Sequence, residues 1–239
     1  MKIAMPVSLS PNSLPEDERD AGSLREAHFK RIVILISGRG SNMQAILEAQ
    51  LPVTIAAVIS NKADAKGLET AARHGVTTAV VYHKQYSNRT DFDTALAAKI
   101  DEFSPDLVVL AGFMRILTPE FVNHYQGRLI NVHPALLPAF PGLNTHEKAL
   151  QEGVRIHGCT VHFVTPTVDH GPIIVQAAVP VLPDDTQDTL AARVLEQEHL
   201  IYPQTIRWFA EDRLTLEQGK VTVHTGGACA AALRSPWDA

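Results

Sequence analysis

The chain has 239 residues, 45% of them hydrophobic, and a formal net charge of −5 at pH 7. This length is enough for one domain with a full hydrophobic core, and the acidic balance excludes a general attraction to nucleic acid or to an anionic membrane surface. Two cysteines do not make a disulfide framework, and no apolar run approaches the roughly 20 residues that cross a bilayer, so we expect a reduced, cytoplasmic setting.

The N-terminal segment, residues 1–30, is rich in Pro, Ser, Glu and Asp and shows no sustained hydrophobic period. Its apolar stretch is broken, which makes a poor secretory signal. We predict a mobile extension, with a short helix from Glu16 to Lys30 as the alternative. The main domain is predicted over 31–213, followed by a hairpin and a weakly specified tail over 214–239.

From Arg31 onward, apolar strands and helical segments alternate. Ile32–Ile36 is a continuous apolar run, which is typical of a strand buried on both faces. Further strands are predicted at 53–59, 77–81, 106–111 and 128–132, and helices at 42–49, 65–74, 90–103 and 118–124. This alternation predicts an α/β fold with a mostly parallel sheet and helices on both faces.

After His146 the pattern changes. Two long strands, at 154–164 and 172–181, are separated by a loop and are expected to extend the sheet in mixed fashion. A helix from about Asp188 to Trp208 is expected to pack across the sheet through an apolar stripe. With no internal repeat, we predict one Rossmann-like domain.

The most informative motif is Asn131-x-His133 at the end of an apolar strand. The two side chains lie on the same face because strand side chains alternate, and Pro134 ends the ladder because it has no N–H to donate. The carboxyl ends of strands hold the ligand sites of α/β sheets, and an amide beside an imidazole suits a carbonyl oxygen that gains charge in acyl transfer. The alternative is an Asn that caps a turn beside a solvated His.

A glycine-rich turn, Ser37–Asn42, joins the first strand to a helix. Its glycines allow close backbone approach, and free N–H groups at the helix start attract an anion. It is not a dinucleotide fingerprint, since Met43 occupies the third glycine position, and no Walker lysine follows. We predict a single phosphate monoester here, or else a tight turn in which Ser41 or Asn42 caps the helix.

Three more polar residues each have a chemical and a structural interpretation. Asp169 could orient and charge an imidazole, or close an Asx turn. Arg115 follows a buried strand and could hold a carboxylate or an aromatic ring, or be a surface arginine. Glu198 could bond sugar hydroxyls, or lie on the solvent side of the long helix.

Neither a metal site nor a covalent nucleophile is predicted. His157 and Cys159 share one strand face, but His162 lies on the other, so the three cannot converge on one ion. Nothing near Cys159 lowers its pKa, and no Gly-x-Ser-x-Gly elbow is present. Acyl chemistry would therefore proceed by direct transfer.

Taken together, these residues resemble the folate-dependent phosphoribosylglycinamide formyltransferases (glycinamide ribonucleotide transformylases) of purine synthesis, over about 31–213. The similarity is carried by several motifs in the same order: residues 36–42, 60–64, 110–117, 131–142 and 157–164, with Asp169 and Gly171-Pro172. It implies a formyltransferase fold and transfer of a formyl group from the co-substrate 10-formyltetrahydrofolate to the amine of 5'-phosphoribosylglycinamide, without a metal.

The resemblance also implies roles for individual residues. The catalytic residues would be Asn131, His133 and Asp169. The substrate phosphate would lie on Gly40, Ser41 and Asn42, and its ribose side on Gln197 and Glu198. The folate pocket would be lined by Arg89, Met114, Arg115, Ile116, Leu117, Asn131, Thr165, Pro166, Thr167, Val168 and Asp169. The chain departs from the family, which often has acidic residues at 166 and 167, a Gly at 170 and a Gln at 195.

Other functions on the same scaffold remain alternatives. A formyltetrahydrofolate hydrolase would use water as the acceptor and is usually longer, with an N-terminal regulatory domain. A methionyl-tRNA formyltransferase would carry a further basic domain, and a non-catalytic phosphate-ligand module would not need the Asn131, His133 and Asp169 set. We expect only small-molecule partners, with no nucleic acid and no membrane, and either a monomer or a homodimer.

Overall fold

The computed structural model describes residues 29–224, so the predicted N-terminal extension, apart from its last two residues, and the tail after 224 lie outside the described part. Its seven-stranded sheet consists of β1 Lys30–Ile36, β2 Val53–Ser60, β3 Thr78–Val80, β4 Leu107–Leu110, β5 Leu129–His133, β6 Ile156–Phe163 and β7 Ile173–Pro180. The helices are α1 Ser41–Glu48, α2 Lys66–Arg73, α3 Arg89–Asp101, α4 Pro119–His124, α5 Thr145–Gln151 and α6 Gln187–Ala210. A separate hairpin pairs β8 Leu214–Glu217 with β9 Lys220–Val223.

The strand order is β3-β2-β1-β4-β5-β6-β7. All pairs from β3 to β5 are parallel, whereas β6 and β7 add in antiparallel fashion. This arrangement confirms the predicted mostly parallel α/β sheet and its mixed extension.

The hydrophobic core has two halves, one on each face of the sheet. Ile32, Ile34 and Ile36 of β1 point into the half covered by α1, α2, α5 and α6. Val33 and Leu35 point into the half covered by α3 and α4. The continuous apolar run of β1 therefore reflects burial on both faces, as its sequence predicted.

Helix α5 was missed by the sequence analysis. It has seven residues, mostly polar, and of its apolar side chains only Ala149 is fully buried, so it carries almost no hydrophobic period. Helix α6 begins as predicted, after a Thr186 capping box with Thr189. No helix within residues 29–224 is long and apolar enough to span a membrane.

Candidate functional site

Three loops meet at the carboxyl edge of the parallel strands. Strands β1, β4 and β5 are neighbours that run in the same direction, so the segments that follow them leave from one edge of the sheet. These segments are the glycine-rich turn 37–42, the loop 111–118 and the loop 134–144. The site therefore lies where an α/β sheet is expected to hold a ligand.

His133 and Asp169 lie side by side in the interior of this site. The His133 residue is 4% exposed, and its Nδ1 lies 3.4 Å from Asp169 Oδ2. Its Nε2 lies 2.9 Å from the carbonyl oxygen of Phe140. Both ring nitrogens of His133 therefore face oxygen acceptors.

Asp169 joins two loops rather than closing an Asx turn on its own backbone. Its Oδ2 also accepts a hydrogen bond from the Gly142 N–H at 2.8 Å. The residue adopts a left-handed backbone (φ 51°), which Asp tolerates better than most residues. At Gly171, a Cβ would lie 1.7 Å from the Phe163 carbonyl oxygen, so only glycine lets this loop pass so close to the end of β6.

Asn131 is held by His162, which lies opposite it in the antiparallel register of β5 and β6. Asn131 Nδ2 lies 3.4 Å from His162 Nε2, and His162 Nδ1 lies 2.8 Å from the Phe163 carbonyl oxygen. Burial lowers the pKa of His162, so a neutral ring donates through Nδ1 and accepts at Nε2. One N–H of the Asn131 amide is left for a ligand.

The sequence analysis gave no role to His162 in this contact. Its position depends on the pairing register of β5 with β6, and a one-residue shift would turn the ring to the other face. The alternation of side chains along Val161-His162-Phe163 gave no information about that register.

The glycine-rich turn leads directly into α1. Gly40 is the N-cap residue with φ 76°, and no side chain caps the helix, so the predicted alternative of a Ser41 or Asn42 cap is wrong. The first residues of α1 line an open cleft of about 340 Å³. Residues 37–42, Lys62, Ala111, Gly112 and Met114 line this cleft.

Glu198 reaches the glycine-rich turn from α6. It is 7% exposed, so its predicted alternative as a residue on the solvent side of the helix is wrong. Asn42 Nδ2 donates to Glu198 Oε2 at 2.6 Å. Burial raises the pKa of Glu198, and the Asn42 hydrogen bond opposes that rise. Gln197, the preceding residue, is half-buried.

The remaining predicted residues lie in two loops and at the start of α3. Met114, Ile116 and Val168 are more than half exposed, whereas Leu117 packs against the core beneath α3 and α4. The Arg115 guanidinium lies 5.4 Å from the centre of the Phe92 ring. Arg89, an exposed residue, begins α3, and Thr165, Pro166 and Thr167 precede Val168, with Thr165 Oγ1 donating to the Thr167 carbonyl oxygen.

Cys159 is unsuited to nucleophilic chemistry. It is fully buried, and burial raises the pKa of its thiol to about 12. His157, on the same strand, faces another histidine, with its Nε2 3.2 Å from His146 Nδ1. Among residues 29–224, no group of three or more His, Cys, Asp or Glu side chains could hold a metal ion.

Known proteins that resemble this chain in sequence and fold include formyl transferases and a related deformylase. A family model described as formyl transferase matches residues 30–206. Phosphoribosylglycinamide formyltransferase of Escherichia coli K12 is 52% identical over 191 residues, 78% of this chain and 90% of that protein. Among solved structures, glycinamide ribonucleotide transformylase 1 from Symbiobacterium toebii is 50% identical, with a TM-score of 0.79 over 82% of this chain and 94% of that one. A formyltetrahydrofolate deformylase from Pseudomonas syringae pv. tomato is 28% identical, with a TM-score of 0.76 over 82% and 66% of the two chains.

Proposed function

The chain belongs to the formyl transferase family, and we propose that it transfers the formyl group of 10-formyltetrahydrofolate to the amine of 5'-phosphoribosylglycinamide. This reaction belongs to de novo purine synthesis. The main observation behind the proposal is the cluster of Asn131, His133 and Asp169. It lies at the same carboxyl edge of the strands as the cleft at the start of α1. One group of residues suits acyl transfer, and the other suits a phosphate monoester.

In this mechanism the substrate amine attacks the formyl carbon, and the protein stabilises the negative charge that develops on the formyl oxygen. Asn131 donates its free N–H to that oxygen. His133 supplies positive charge, since both of its ring nitrogens already face Asp169 and Phe140. Asp169 orients His133 and, through water, passes the amine proton to the folate nitrogen, which leaves as tetrahydrofolate when its bond to the formyl carbon breaks. Most of the rate enhancement comes from orientation and from this electrostatic stabilisation.

The ribonucleotide binds at the start of α1. The backbone N–H groups of Gly40, Ser41 and Asn42 bind the phosphate, since the Asn42 side chain already donates to Glu198. Lys62 lines the same cleft and adds positive charge. Glu198, with Gln197, faces the ribose hydroxyls, for which a buried carboxylate is a strong acceptor.

The folate co-substrate supplies the formyl carbon and a nitrogen leaving group, and the chain offers residues of suitable chemistry to hold it. Met114, Ile116 and Val168 present exposed apolar surface for an aromatic ring system. Arg89 and Arg115 provide cations for the carboxylates of its glutamate end. The other proposed folate residues are Leu117, Asn131, Thr165, Pro166, Thr167 and Asp169.

A steady-state assay tests the proposal. Purified protein is mixed with 10-formyltetrahydrofolate, and tetrahydrofolate formation is followed by absorbance with and without phosphoribosylglycinamide. We expect turnover that depends on both substrates and is lost in Asn131→Ala. Turnover that is the same with and without the ribonucleotide contradicts the proposal.

A formyltetrahydrofolate hydrolase is the second candidate, and the 28% identical deformylase structure is the observation that favours it. A hydrolase needs water as the acceptor and has no use for a phosphate site. The assay without ribonucleotide separates the two, since a hydrolase releases formate under that condition. The 52% identity to a ribonucleotide formyltransferase makes the transferase the stronger candidate.

A further inference from the structure

Asp93, on α3, is a buried carboxylate that takes no part in the mechanism above. It is 2% exposed. Its Oδ2 accepts a hydrogen bond from the Thr118 backbone N–H at 2.6 Å. Its Oδ1 is buried and has no hydrogen-bond partner among residues 29–224. A buried carboxylate with an unpaired oxygen costs stability, so its presence in the fold calls for an explanation.

The hydrogen bond from Thr118 fixes one end of the loop that carries the proposed folate residues 114–117. At the other end, Ser37 Oγ accepts a hydrogen bond from the Met114 N–H at 2.8 Å. Thr118 is also the N-cap of α4, where its side chain accepts from the Phe121 N–H. Asp93 therefore fixes the point at which this loop passes into a helix.

Asp93 lies close to both arginines that we propose for the folate carboxylates. Arg89 lies four residues earlier on α3, which places it on the same helix face. Arg115 lies over the ring of Phe92, the residue next to Asp93. Burial raises the pKa of Asp93, while hydrogen bonding with Thr118 and the charges of Arg89 and Arg115 lower it. One carboxylate thus attracts two cations that would otherwise repel each other.

We propose that Asp93 is a positioning residue for the folate co-substrate. It fixes the 114–118 loop through Thr118 and orients Arg89 and Arg115 toward the glutamate end of the folate before binding, so that less ordering is needed on binding. The inference rests on the proposed function. It predicts an effect on folate affinity and little effect on the ribonucleotide site.

The test measures kcat, the KM of each substrate and the melting temperature for wild type, Asp93→Ala and Asp93→Asn. Alanine removes both the acceptor and the charge, whereas asparagine keeps an acceptor for the Thr118 N–H and removes the charge. We expect Asp93→Ala to raise the KM for 10-formyltetrahydrofolate about tenfold, with the KM for the ribonucleotide within about twofold of wild type. Asp93→Asn should raise the folate KM by a smaller factor.

Asp106→Ala is the matched control. Asp106 Oδ2 accepts a hydrogen bond from the Arg31 N–H at 2.7 Å, which is the same kind of contact. Asp106 comes just before β4, so it lies at the amino ends of the parallel strands, opposite the proposed site. It should leave both KM values unchanged. A folate KM that neither Asp93 variant changes, or a parallel rise in both KM values with a lowered melting temperature, contradicts the inference. So does loss of folding in both Asp93 variants, because it indicates a purely structural role.

These outcomes differ from failure of the proposed function. A wild-type protein that transfers no formyl group contradicts the proposed function and the inference with it. An active wild type whose folate KM is unaffected by Asp93→Ala and Asp93→Asn contradicts only the role of Asp93.

Discussion

Asn131 and His133 share one face of β5 but differ in the hydrogen-bond donors that remain free for a ligand. The ring nitrogens of His133 already face Asp169 and the Phe140 carbonyl oxygen. The amide of Asn131 uses one N–H toward His162 and keeps the other. We therefore assign the hydrogen bond to the formyl oxygen to Asn131 and the positive charge to His133.

Replacing Asp169 by Asn tests this division. The substitution keeps the shape of the side chain but removes the carboxylate charge that lies 3.4 Å from His133 Nδ1. Turnover should fall by about 10²–10⁴-fold, while circular dichroism shows an intact fold. Asp184→Asn, at an exposed position, is the control. Turnover of Asp169→Asn within about threefold of wild type would contradict the catalytic role assigned to Asp169.

A second prediction concerns Gly40. Its φ of 76° is strained for any side chain, and a Cβ would lie 3.1 Å from Met43 Cε and 3.2 Å from Gly67 Cα. Gly40→Val should therefore raise the KM for the ribonucleotide by about tenfold or more, while the affinity for a folate analogue, measured by fluorescence titration, changes little.

The control for Gly40 is Gly75→Val. Gly75 has a similar φ of 73°, lies outside the residues that line the cleft, and has open space around its Cβ position. It should cost stability without changing either substrate constant. A Gly40 variant that lost folate affinity but kept ribonucleotide affinity would invert the proposed assignment of the two sites.

The sequence could predict only part of this site. The shared face of Asn131 and His133 follows from the two-residue period of a strand. The contact between His133 and the Phe140 carbonyl oxygen depends on the path of a loop, and the spacing of hydrophobic residues does not predict loop paths. The burial of Glu198 depends on how α6 lies across α1, and its charge alone suggested solvent exposure as readily as a ligand contact.

At the scale of elements, β6 holds the loop that leaves β5. Thr160, fully buried on β6, donates to the Ala135 carbonyl oxygen at 2.7 Å and accepts from the Leu137 N–H at 3.0 Å. Gln176 of β7 donates to the same hydroxyl and to the Leu137 carbonyl oxygen. The first turn of the 134–144 loop, which leads to Phe140, is thus fixed to two strands.

Thr160→Val keeps the volume of the side chain and removes these hydrogen bonds. It removes the hydroxyl shared by Leu137, Ala135 and Gln176 and leaves the buried Leu137 N–H with only the Ala135 carbonyl oxygen, at 3.1 Å. The free energy of unfolding should therefore fall by about 1–3 kcal/mol in urea denaturation. Turnover should fall as well, since the loop carries the acceptor for His133 Nε2.

Thr205→Val is its control, because that buried hydroxyl donates only within its own helix, to the Ile201 carbonyl oxygen. It should lose less stability and keep full turnover. Equal losses of turnover in the two variants would contradict a specific role for Thr160.

The elements themselves were predictable where burial imposes a period. The apolar runs of β1, β2, β4 and β5 predicted strands close to their observed bounds. Helix α5 was not predictable, because its short polar sequence begins only after Asn144 adopts a left-handed backbone in a loop fixed by tertiary contacts.

At the scale of the molecule, every residue of the proposed chemistry lies in the described domain. The family match begins at residue 30, and every proposed site residue lies between residues 37 and 198. Strand β1 is tied at its first residue, where Lys30 Nζ donates to the Phe209 carbonyl oxygen at 2.9 Å. We propose that the segment before residue 28 is dispensable for catalysis.

Deleting residues 1–27 should preserve kcat and both KM values and shift the melting temperature by only a few degrees, measured by calorimetry. The full chain assayed in parallel is the control. A truncated protein that is monodisperse and folded but inactive would show that the segment contributes to the site, and the proposed boundary would be wrong.

The most direct measurement follows the formyl carbon itself. The wild-type protein is incubated with 10-formyltetrahydrofolate labelled with ¹³C in the formyl group and with phosphoribosylglycinamide, and the products are separated by mass spectrometry. The account predicts that the label appears in the ribonucleotide, in amounts equal to the tetrahydrofolate formed. Label recovered as formate, with the ribonucleotide unlabelled, would contradict it.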